Sequence, residues 1–321
     1  MTKALILSLG SINADFQMRV DDEIGEIETQ LAHDFVRLSG GKAANRAFLA
    51  RKFGHPAQLW GRVGEDELSR QATGGLEELG VDLSGVTAAP GQPTAVSVIV
   101  VPPSGKKRIF LASNANACWD EAAAKALEAG LCGADPTSVL TVDFEGRQDI
   151  AMRALEAVAR RGLRAVIDPS PGDTVGPDAL ALSAAVAPNA EEARALSGVE
   201  VTDTASAARA AGAILRRGAS AVCLKLADGG ALIAQADDFA LVPPPGIDPV
   251  DTTGAGDAFT AALAIGLSEG RAFVDCACLG AAAAGVAVTR YGSQHEGLTP
   301  DNIEPLAARL RKAVRRLDPA Q

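Results

Sequence analysis

Between residues 138 and 242 the chain alternates strand-like with helix-like segments, and this alternation limits its possible folds more than any other feature. Apolar runs that are typical of buried strands fall at residues 138–142, 164–167, 184–187, 220–225 and 230–234. Helical patterns lie near residues 147–161, 189–197 and 203–217. Such alternation indicates an α/β fold, in which a central, mostly parallel sheet has helices on both faces.

A second pattern marks two separate stretches, residues 13–38 and 93–112. In the first, apolar residues alternate irregularly with acidic ones, and in the second two β-rich runs flank a turn that contains Pro and Gly. We predict that both stretches form one small β-sheet, which covers the remaining core (residues 1–12, 39–92 and 113–321) as a lid. A closing amphipathic helix is predicted at residues 299–317.

The composition excludes several classes of protein. The chain has 321 residues and a formal net charge of −10, which argues against general nucleic-acid binding, because neutralising phosphates needs a basic face. No signal peptide is expected, because the first apolar run is short, and no membrane span is expected, because no run approaches roughly 18 apolar residues. Its five scattered cysteines are typical of a cytoplasmic protein. The three histidines are too dispersed for a metal site, and His55, which precedes Pro56, is expected in a surface turn.

Residues 251–259 (DTTGAGDAF) join a Pro-rich loop to an Ala- and Leu-rich helical run. Gly254 and Gly256 have no Cβ where the loop becomes a helix, so backbone N–H groups can approach an anion closely. Asp257 falls in the first helical turn, where it could take a proton from a hydroxyl while a phosphate group arrives opposite. The alternative is an ordinary helix start, with Thr253 as N-cap and Asp257 favoured by the helix dipole.

Two earlier polar clusters also lie where ligands commonly bind. Asn13 and Asp15 follow the first predicted strand, residues 5–9, at the end where open α/β sheets bind ligands. Because they are two residues apart, their side chains face one side of an extended chain and could bind sugar hydroxyls, or form an Asx turn instead. Residues 39–45 (SGGKAAN) open a helix that ends at Gly54, and a plain loop-to-helix junction is the alternative there.

Asn189 and Glu192 are three residues apart at the start of a predicted helix, so they are neighbours on one helical face. An amide and a carboxylate there can hold a hydrated Mg²⁺ that also contacts phosphate. The same pair can form a capping box, with Asn as N-cap and Glu at the third helical position. The two interpretations are compatible.

In order and spacing, these four stretches resemble the ribokinase-like (PfkB) carbohydrate kinases over nearly the whole chain. The resemblance implies an enzyme that transfers a phosphoryl group from ATP to a primary hydroxyl of a pentose or similar sugar, with ribose as the first candidate. It implies Asp257 as the catalytic base and Gly254, Ala255 and Gly256 as the anion hole. The sugar-binding residues that it implies are Asn13, Asp15, Gly40, Gly41, Asn45 and, on a looser match, Glu145.

The resemblance also implies sites for the nucleotide and for cations. Nucleotide contacts would come from Asn189, Lys225, Gly230, Gly254 and Gly256, and Mg²⁺ contacts from Asn189 and Glu192. A monovalent cation, K⁺ by expectation, would lie near Asp251, Thr253, Ala287, Arg290 and Gly292. The sequence departs from the family at three places: Ala43 replaces a common third glycine, Glu296 falls near a common serine, and only Gly230 remains of a Thr-x-Gly-x-x-Gly nucleotide loop.

Other activities remain open on the same fold. A nucleoside kinase would need aromatic surfaces, for which the lid offers Phe16, Phe35 and Phe110. A 2-keto-3-deoxygluconate kinase would need Arg19, Arg37 or Arg108 for a carboxylate, and a fructose kinase is a further candidate. A catalytically silent sugar or nucleotide sensor is disfavoured, because a sensor needs no base. Besides sugar and ATP, a second copy of the chain is a possible partner, since lid strands offer edges for a homodimer.

Overall fold

The computed structural model describes residues 3–25, 29–104 and 107–317. The strands of these residues are β1 (Ile6–Leu9), β2 (Asn13–Val20), β3 (Ala32–Gly40), β4 (Ala57–Val63), β5 (Asp82–Ala88), β6 (Ala95–Val101), β7 (Arg108–Ala112), β8 (Val139–Asp143), β9 (Arg164–Asp168), β10 (Ala185–Val186), β11 (Val222–Lys225), β12 (Ala231–Gln235), β13 (Asp238–Val242) and β14 (Arg315–Leu317). The helices are α1 (Lys42–Lys52), α2 (Glu67–Glu78), α3 (Glu121–Gly133), α4 (Gln148–Arg160), α5 (Pro177–Ala181), α6 (Ala190–Ser197), α7 (Thr204–Arg216), α8 (Ala255–Ser268), α9 (Phe273–Ala287) and α10 (Pro300–Lys312).

The central sheet has the strand order β14-β13-β12-β11-β10-β9-β8-β1-β4-β5. From β5 to β11 neighbouring strands are parallel, and β12, β13 and β14 continue the sheet antiparallel. Strands β1 and β8 are buried along their whole length, which explains why their sequences are mostly apolar. The predicted α/β fold with a mostly parallel sheet is therefore confirmed.

Helices cover both faces of this sheet. Ile6 packs in a cluster with residues of α1, α2, α8, α9 and α10, whereas its neighbour Leu7 packs with residues of α3, α4, α6 and α7. Successive strand residues point to opposite faces, so each cluster is one side of the core. Among the described residues no helix has the length and apolar character needed to cross a membrane.

The end of the chain differs from the sequence prediction. The helix expected over residues 299–317 ends at Lys312, and Arg315–Leu317 form β14, which pairs antiparallel with β13. The unpaired edge of β13 offers backbone hydrogen bonds that a further helical turn cannot provide. Sequence patterns also fail to indicate α9, because most of this helix is buried and it has no polar stripe.

A small sheet of order β3-β2-β6-β7 is built from the two predicted stretches. The outer pairs are antiparallel, and the central pair, β2 with β6, is parallel. Side chains alternate between its faces, so Asn13, Asp15 and Ser97 point to one side and Phe16 and Val98 to the other. That the small sheet acts as a lid on a separate core, with the boundaries given above, stays a prediction.

His55 does not lie in a surface turn, and that expectation is wrong. Its side chain is fully buried, with Nδ1 2.9 Å from the carbonyl oxygen of Ala4 and Nε2 3.1 Å from Oε1 of Glu269. Gly54, at φ +74°, ends α1 and turns the chain inward before β4 begins. Both ring nitrogens therefore have partners, as a buried imidazole requires.

Arg46 of α1 is fully buried and joins this helix to three strand ends. Its Nη2 donates to Asp143 Oδ2 at 2.7 Å and to the carbonyl oxygen of Leu9 at 3.0 Å, and Nε donates to Thr141 Oγ1 at 3.2 Å. Its Nη1 lies 3.8 Å from Asp168 Oδ2. One guanidinium thus holds α1 against the carboxyl ends of β1, β8 and β9.

Replacing this guanidinium is expected to destabilise the whole fold. Arg46→Met keeps the volume but leaves the Asp143 carboxylate buried without its main partner, which costs about 3–5 kcal/mol. The measurement is the denaturant midpoint compared with wild type. Arg153→Met, which removes a partly exposed arginine paired with Glu121 and Glu128 on the protein surface, is the matched control and should shift the midpoint little. Equal shifts for both variants would contradict the importance of the buried network.

Candidate functional site

The start of α8 brings three separate stretches of sequence together around Asp257. Gly254 precedes the helix at φ +77°, and a Cβ there would lie 2.5 Å from the Cβ of Ser293, so only glycine allows this approach. Asp257 lies in the first helical turn and is buried. Its Oδ2 accepts from Asn45 Nδ2 at 2.7 Å, and its Oδ1 lies 3.8 Å from Lys42 Nζ. The carboxylate is therefore held at the amide end of the helix.

Asn13 and Asp15 line the same cavity from β2. Asn13 accepts from Asn116 Nδ2 at 2.8 Å and donates to Ser97 Oγ at 3.1 Å. A Cβ on Gly40 would lie 2.0 Å from the Asp15 carboxylate, which explains the glycine there. Oδ1 of Asp15 is buried without a hydrogen bond, and burial, with a smaller effect of the nearby Asp257, raises the pKa of Asp15 to about 7. Such a carboxylate is available to a ligand.

Glu145 follows β8 and reaches the cavity next to Asn13 and Asp15. Its Oε2 accepts from Ser11 Oγ at 2.7 Å, and its Oε1 lies 3.8 Å from Lys42 Nζ. Burial raises the pKa of Glu145 to about 7, although the Lys42 ammonium opposes the shift. Two carboxylates that titrate near neutrality thus border one end of the cavity.

At the other end Asn189 and Glu192 form the predicted capping box. The Asn189 N–H donates to Glu192 Oε2, and the Glu192 N–H donates to Asn189 Oδ1, both at 2.8 Å. Lys225 Nζ lies 3.4 Å from Asp168 Oδ1 and 4.0 Å from Glu192 Oε2. Burial alone would raise the pKa of Asp168, but Lys225, Lys42 and Arg46 outweigh it and hold that pKa below its usual range.

A single cavity of about 1120 Å³ is bordered by most of these side chains, among them those of Asp15, Lys42, Glu145, Glu192 and Lys225, whereas Asp168 lies behind its lining. Asp257, Gly254 and Gly256 line it together with the carboxylates of Asp15 and Glu145 and with Lys225. Gly41 and Asn45 also line the cavity, whereas Gly230, in the turn between β11 and β12, is not among its lining residues. The cavity therefore offers hydrogen-bonding side chains, a buried carboxylate and helix N–H groups to two ligands that bind next to each other.

The residues implied for a monovalent cation lie beside this cavity on two loops. Asp251 and Thr253 precede α8, and Arg290 and Gly292 follow α9, which ends at Ala287. The carboxylate of Asp251 accepts from Thr253 and from the backbone N–H of Gly292. Among the described residues no group of three or more His, Cys, Asp or Glu side chains could hold a metal ion by itself.

The sequence analysis did not assign a role to five residues of this region. Lys42 and Asp168 carry a recognisable signal, because one lies in the SGGKAAN run and the other ends a strand at the ligand-binding edge. Ser97, Lys107 and Asn116 carry none, since each is polar in a segment without a motif. They reach the site only because the small sheet, and the turn that follows it, pack over the end of the central one.

Comparison with known proteins agrees with this geometry. The profile of the pfkB family carbohydrate kinases matches residues 3–300. A ribokinase of Haemophilus influenzae is 29% identical over 92% of this chain and 95% of its own, and one of Arabidopsis thaliana is 30% identical over 90% and 77%. The structure of Arabidopsis thaliana ribokinase complexed with ribose and ATP superposes with a TM-score of 0.78 and 25% identity, covering 97% of this chain and 99% of that one. The chain therefore belongs to the pfkB family of carbohydrate kinases, which are phosphotransferases with an alcohol group as acceptor.

Proposed function

We propose that this kinase transfers the γ-phosphoryl group of ATP to a primary hydroxyl of a pentose, with ribose as the first candidate. One observation carries the proposal: the carboxylate of Asp257, in the first turn of α8, lines one cavity together with side chains that can bind hydroxyls and with Gly254 and Gly256. Relatives that are named ribokinases, one of them solved with ribose and ATP, support the choice of substrates.

The acceptor end of the cavity suits a neutral polyhydroxylated molecule. Asn13, Asp15, Asn45 and Glu145 offer both donors and acceptors there. Its ammonium groups are engaged: Lys42 faces the carboxylates of Asp257 and Glu145, and Lys107 Nζ donates to Thr253 Oγ1. Hydroxyl groups satisfy such a site without adding charge, and an analogue that lacks one leaves a buried group unpaired.

The other candidate acceptors find less support. The arginines that could bind an acidic sugar are engaged elsewhere: Arg37 donates to Gln71 and Arg19 lies over the Tyr291 ring. Arg108 is exposed and does not line the cavity. The aromatic residues that a nucleoside would need are on the outer face of the small sheet, and the described residues that line the cavity include no aromatic side chain. Fructose is not distinguished from ribose by these contacts.

Asp257 is suited to accept the proton of the attacking hydroxyl. Asn45 holds Oδ2 at 2.7 Å, which leaves Oδ1 to face the acceptor. The N–H groups of Gly254, Ala255 and Gly256, at the positive end of α8, would stabilise charge on the transferring phosphoryl group. A catalytically silent sensor has no use for a carboxylate oriented in this way.

The residues around Lys225 would hold the phosphates of ATP. The capping contacts engage Oε2 of Glu192, and the side chain still lines the cavity, so its carboxylate fits a hydrated Mg²⁺ together with Asn189. When bound, Mg²⁺ would neutralise phosphate charge. Lys225 would add a positive charge close to the start of α8. Its Nζ lies 3.4 Å from the point that a Cβ on Gly256 would occupy.

Two variants separate the base from the metal site. Asp257→Asn keeps the size of the side chain but removes the basic oxygen, so kcat is expected to fall on the order of 10²-fold, while affinities for sugar and ATP change little. Glu192→Gln should instead raise the Mg²⁺ concentration needed for half-maximal rate. The measurement is steady-state kinetics across a Mg²⁺ titration, with binding by calorimetry.

The two variants control for each other. Excess Mg²⁺ should restore Glu192→Gln and leave Asp257→Asn inactive. If Asp257→Asn retains more than about a tenth of the wild-type rate, which is below the usual contribution of a base, Asp257 is not the base. An unchanged Mg²⁺ dependence in Glu192→Gln would leave this residue only its capping role.

Asp15→Asn is expected to weaken sugar binding and to stabilise the ligand-free protein at high pH. The pKa of Asp15 rises from 3.8 to about 7 on folding, so the folded state binds more protons between these values. Stability therefore falls as pH rises through this window, and the full penalty applies above it. The variant should gain a few degrees in melting temperature, about 1.5 °C per kcal/mol for a chain of this length, at alkaline pH and less at acidic pH.

Calorimetry with ribose and ATP completes this test. Sugar affinity should fall far more than ATP affinity in Asp15→Asn. A gain in melting temperature that is equal at both pH values would show that the carboxylate carries no desolvation penalty. Equal losses of affinity for both ligands would remove Asp15 from the sugar site.

The outer face of the small sheet supports a homodimer. Phe16, Val98 and Phe110 lie side by side across three strands, and Phe35 stacks on Phe16 with ring centroids 6.1 Å apart. Phe35 and Phe110 remain 57% and 61% exposed. The opposite face of the same strands lines the cavity, so this apolar row has no role in binding substrate. A second copy of the chain would cover it.

Sedimentation velocity tests this interface. Wild type is expected to sediment as a dimer and Phe110→Asp as a monomer, because the new charge would be buried unpaired. Val250→Asp changes a similarly exposed apolar residue outside the small sheet and should leave the dimer intact. A wild-type monomer at high concentration would contradict the proposal.

A further inference from the structure

Asp251, the acidic residue implied for a monovalent-cation site, is saturated by hydrogen bonds from the protein itself. Its Oδ1 accepts from the N–H and the hydroxyl of Thr253, at 2.9 and 2.7 Å. Its Oδ2 accepts from Gln17 Nε2 at 2.8 Å and from the N–H of Gly292 at 3.0 Å. A carboxylate has about four acceptor positions, so each of them is used. These bonds outweigh the effect of burial and hold the pKa of Asp251 below its usual range.

The carbonyl oxygen of Ala287, implied as another cation ligand, has a protein donor as well. His295 Nδ1 accepts from the N–H of Gly297 at 3.2 Å, which places the proton of the neutral ring on Nε2. Nε2 lies 3.1 Å from the Ala287 carbonyl oxygen. Glu296, which stands near a common serine of the family, pairs instead with Arg290.

A lysine side chain already contacts the loop that the cation would support. Lys107 Nζ donates to Thr253 Oγ1 at 2.9 Å. Burial lowers the pKa of Lys107, and the carboxylates of Asp251 and Asp257 oppose this effect. Lys107 precedes β7 and Gln17 lies on β2, so both donors come from the small sheet. They hold the loop that leads directly into the helix N–H groups at Gly254.

We infer that this kinase needs no monovalent cation, because Gln17, Lys107 and His295 make the interactions that a bound K⁺ would make with the Asp251–Thr253 loop and Ala287. The residues present do not fit the cation site that the family resemblance implies. Order of the anion-binding loop depends instead on contact with the small sheet. Gln17 and Lys107 are thus positioning residues, which act through the loop and not on the sugar. Only the kinetic part of the test rests on the proposed function.

The first measurement uses the ligand-free protein and is independent of catalysis. Melting temperatures are compared in KCl and in choline chloride at matched ionic strength. A protein that binds K⁺ only when folded is stabilised in proportion to its occupancy, so wild type should melt at the same temperature in both salts. A saturable increase with KCl would overturn the inference, whether or not any sugar is phosphorylated.

The second measurement compares steady-state rates with ribose and ATP in the same two salts. Wild-type kcat should not depend on the salt, whereas Gln17→Leu and Lys107→Met should each lower it about ten-fold or more, since each removes a charge-assisted hydrogen bond. Gln17→Leu also frees one acceptor position of Asp251, so its rate should rise again in KCl. Lys107→Arg should retain most of the wild-type rate.

Lys125→Met, at an exposed position of α3, is the matched control and should behave as wild type in both salts. A wild-type kcat that falls about ten-fold when choline replaces K⁺ would overturn the inference. So would wild-type rates in choline for both Gln17→Leu and Lys107→Met, since the small sheet would then not support the loop. Absence of activity toward every sugar would refute the proposed function and leave the melting comparison decisive.

Discussion

The buried ion pair of Arg46 with Asp143 fixes helix α1 against the central sheet, and the rest of the site depends on this contact. A charge inside the core is tolerated only when it is paired and hydrogen-bonded, and here the guanidinium reaches three strand ends and a helix at once. The pair therefore sets where α1 meets the carboxyl edge of the sheet. Asn45 and Lys42, on the same helix, are placed against Asp257 as a consequence. The same buried ion pair therefore stabilises the fold and positions the site residues of α1.

The site contains more buried carboxylates than would be expected if they served stability alone. Asp15 and Glu145 have pKa values near 7 because burial disfavours their ionised forms. Asp168 is ionised because Lys42, Lys225 and Arg46 surround it. Carboxylates that are held without full satisfaction cost stability but leave acceptor positions for sugar hydroxyls. Asp251 differs, because hydrogen bonds from the protein occupy every acceptor position of its carboxylate. We therefore regard Asp251 as a structural residue and the unsatisfied carboxylates as ligand-binding ones.

Sequence patterns predicted much of the fold and part of the site, for local reasons. The alternation of strands and helices, the glycines before α8 and the capping box at Asn189 are all properties of short segments, and the structure confirms them. Predictions were wrong where a distant partner decided the outcome. His55 is buried because Glu269 and Ala4 lie opposite it, and residues 315–317 are a strand because β13 has a free edge.

By itself, the sequence determined the fold class and the order of the motifs, because each depends on local periodicity and spacing, and its resemblance to known carbohydrate kinases indicated the family. Only the tertiary structure decided which side chains share the cavity, which carboxylates are left unsatisfied and which are saturated. Lys107 and Gln17 lie more than a hundred residues from the loop that they contact, and no local pattern records such a contact. Burial and electrostatic balance are properties of the assembled molecule, since they depend on everything that surrounds a group and not on its neighbours in the chain.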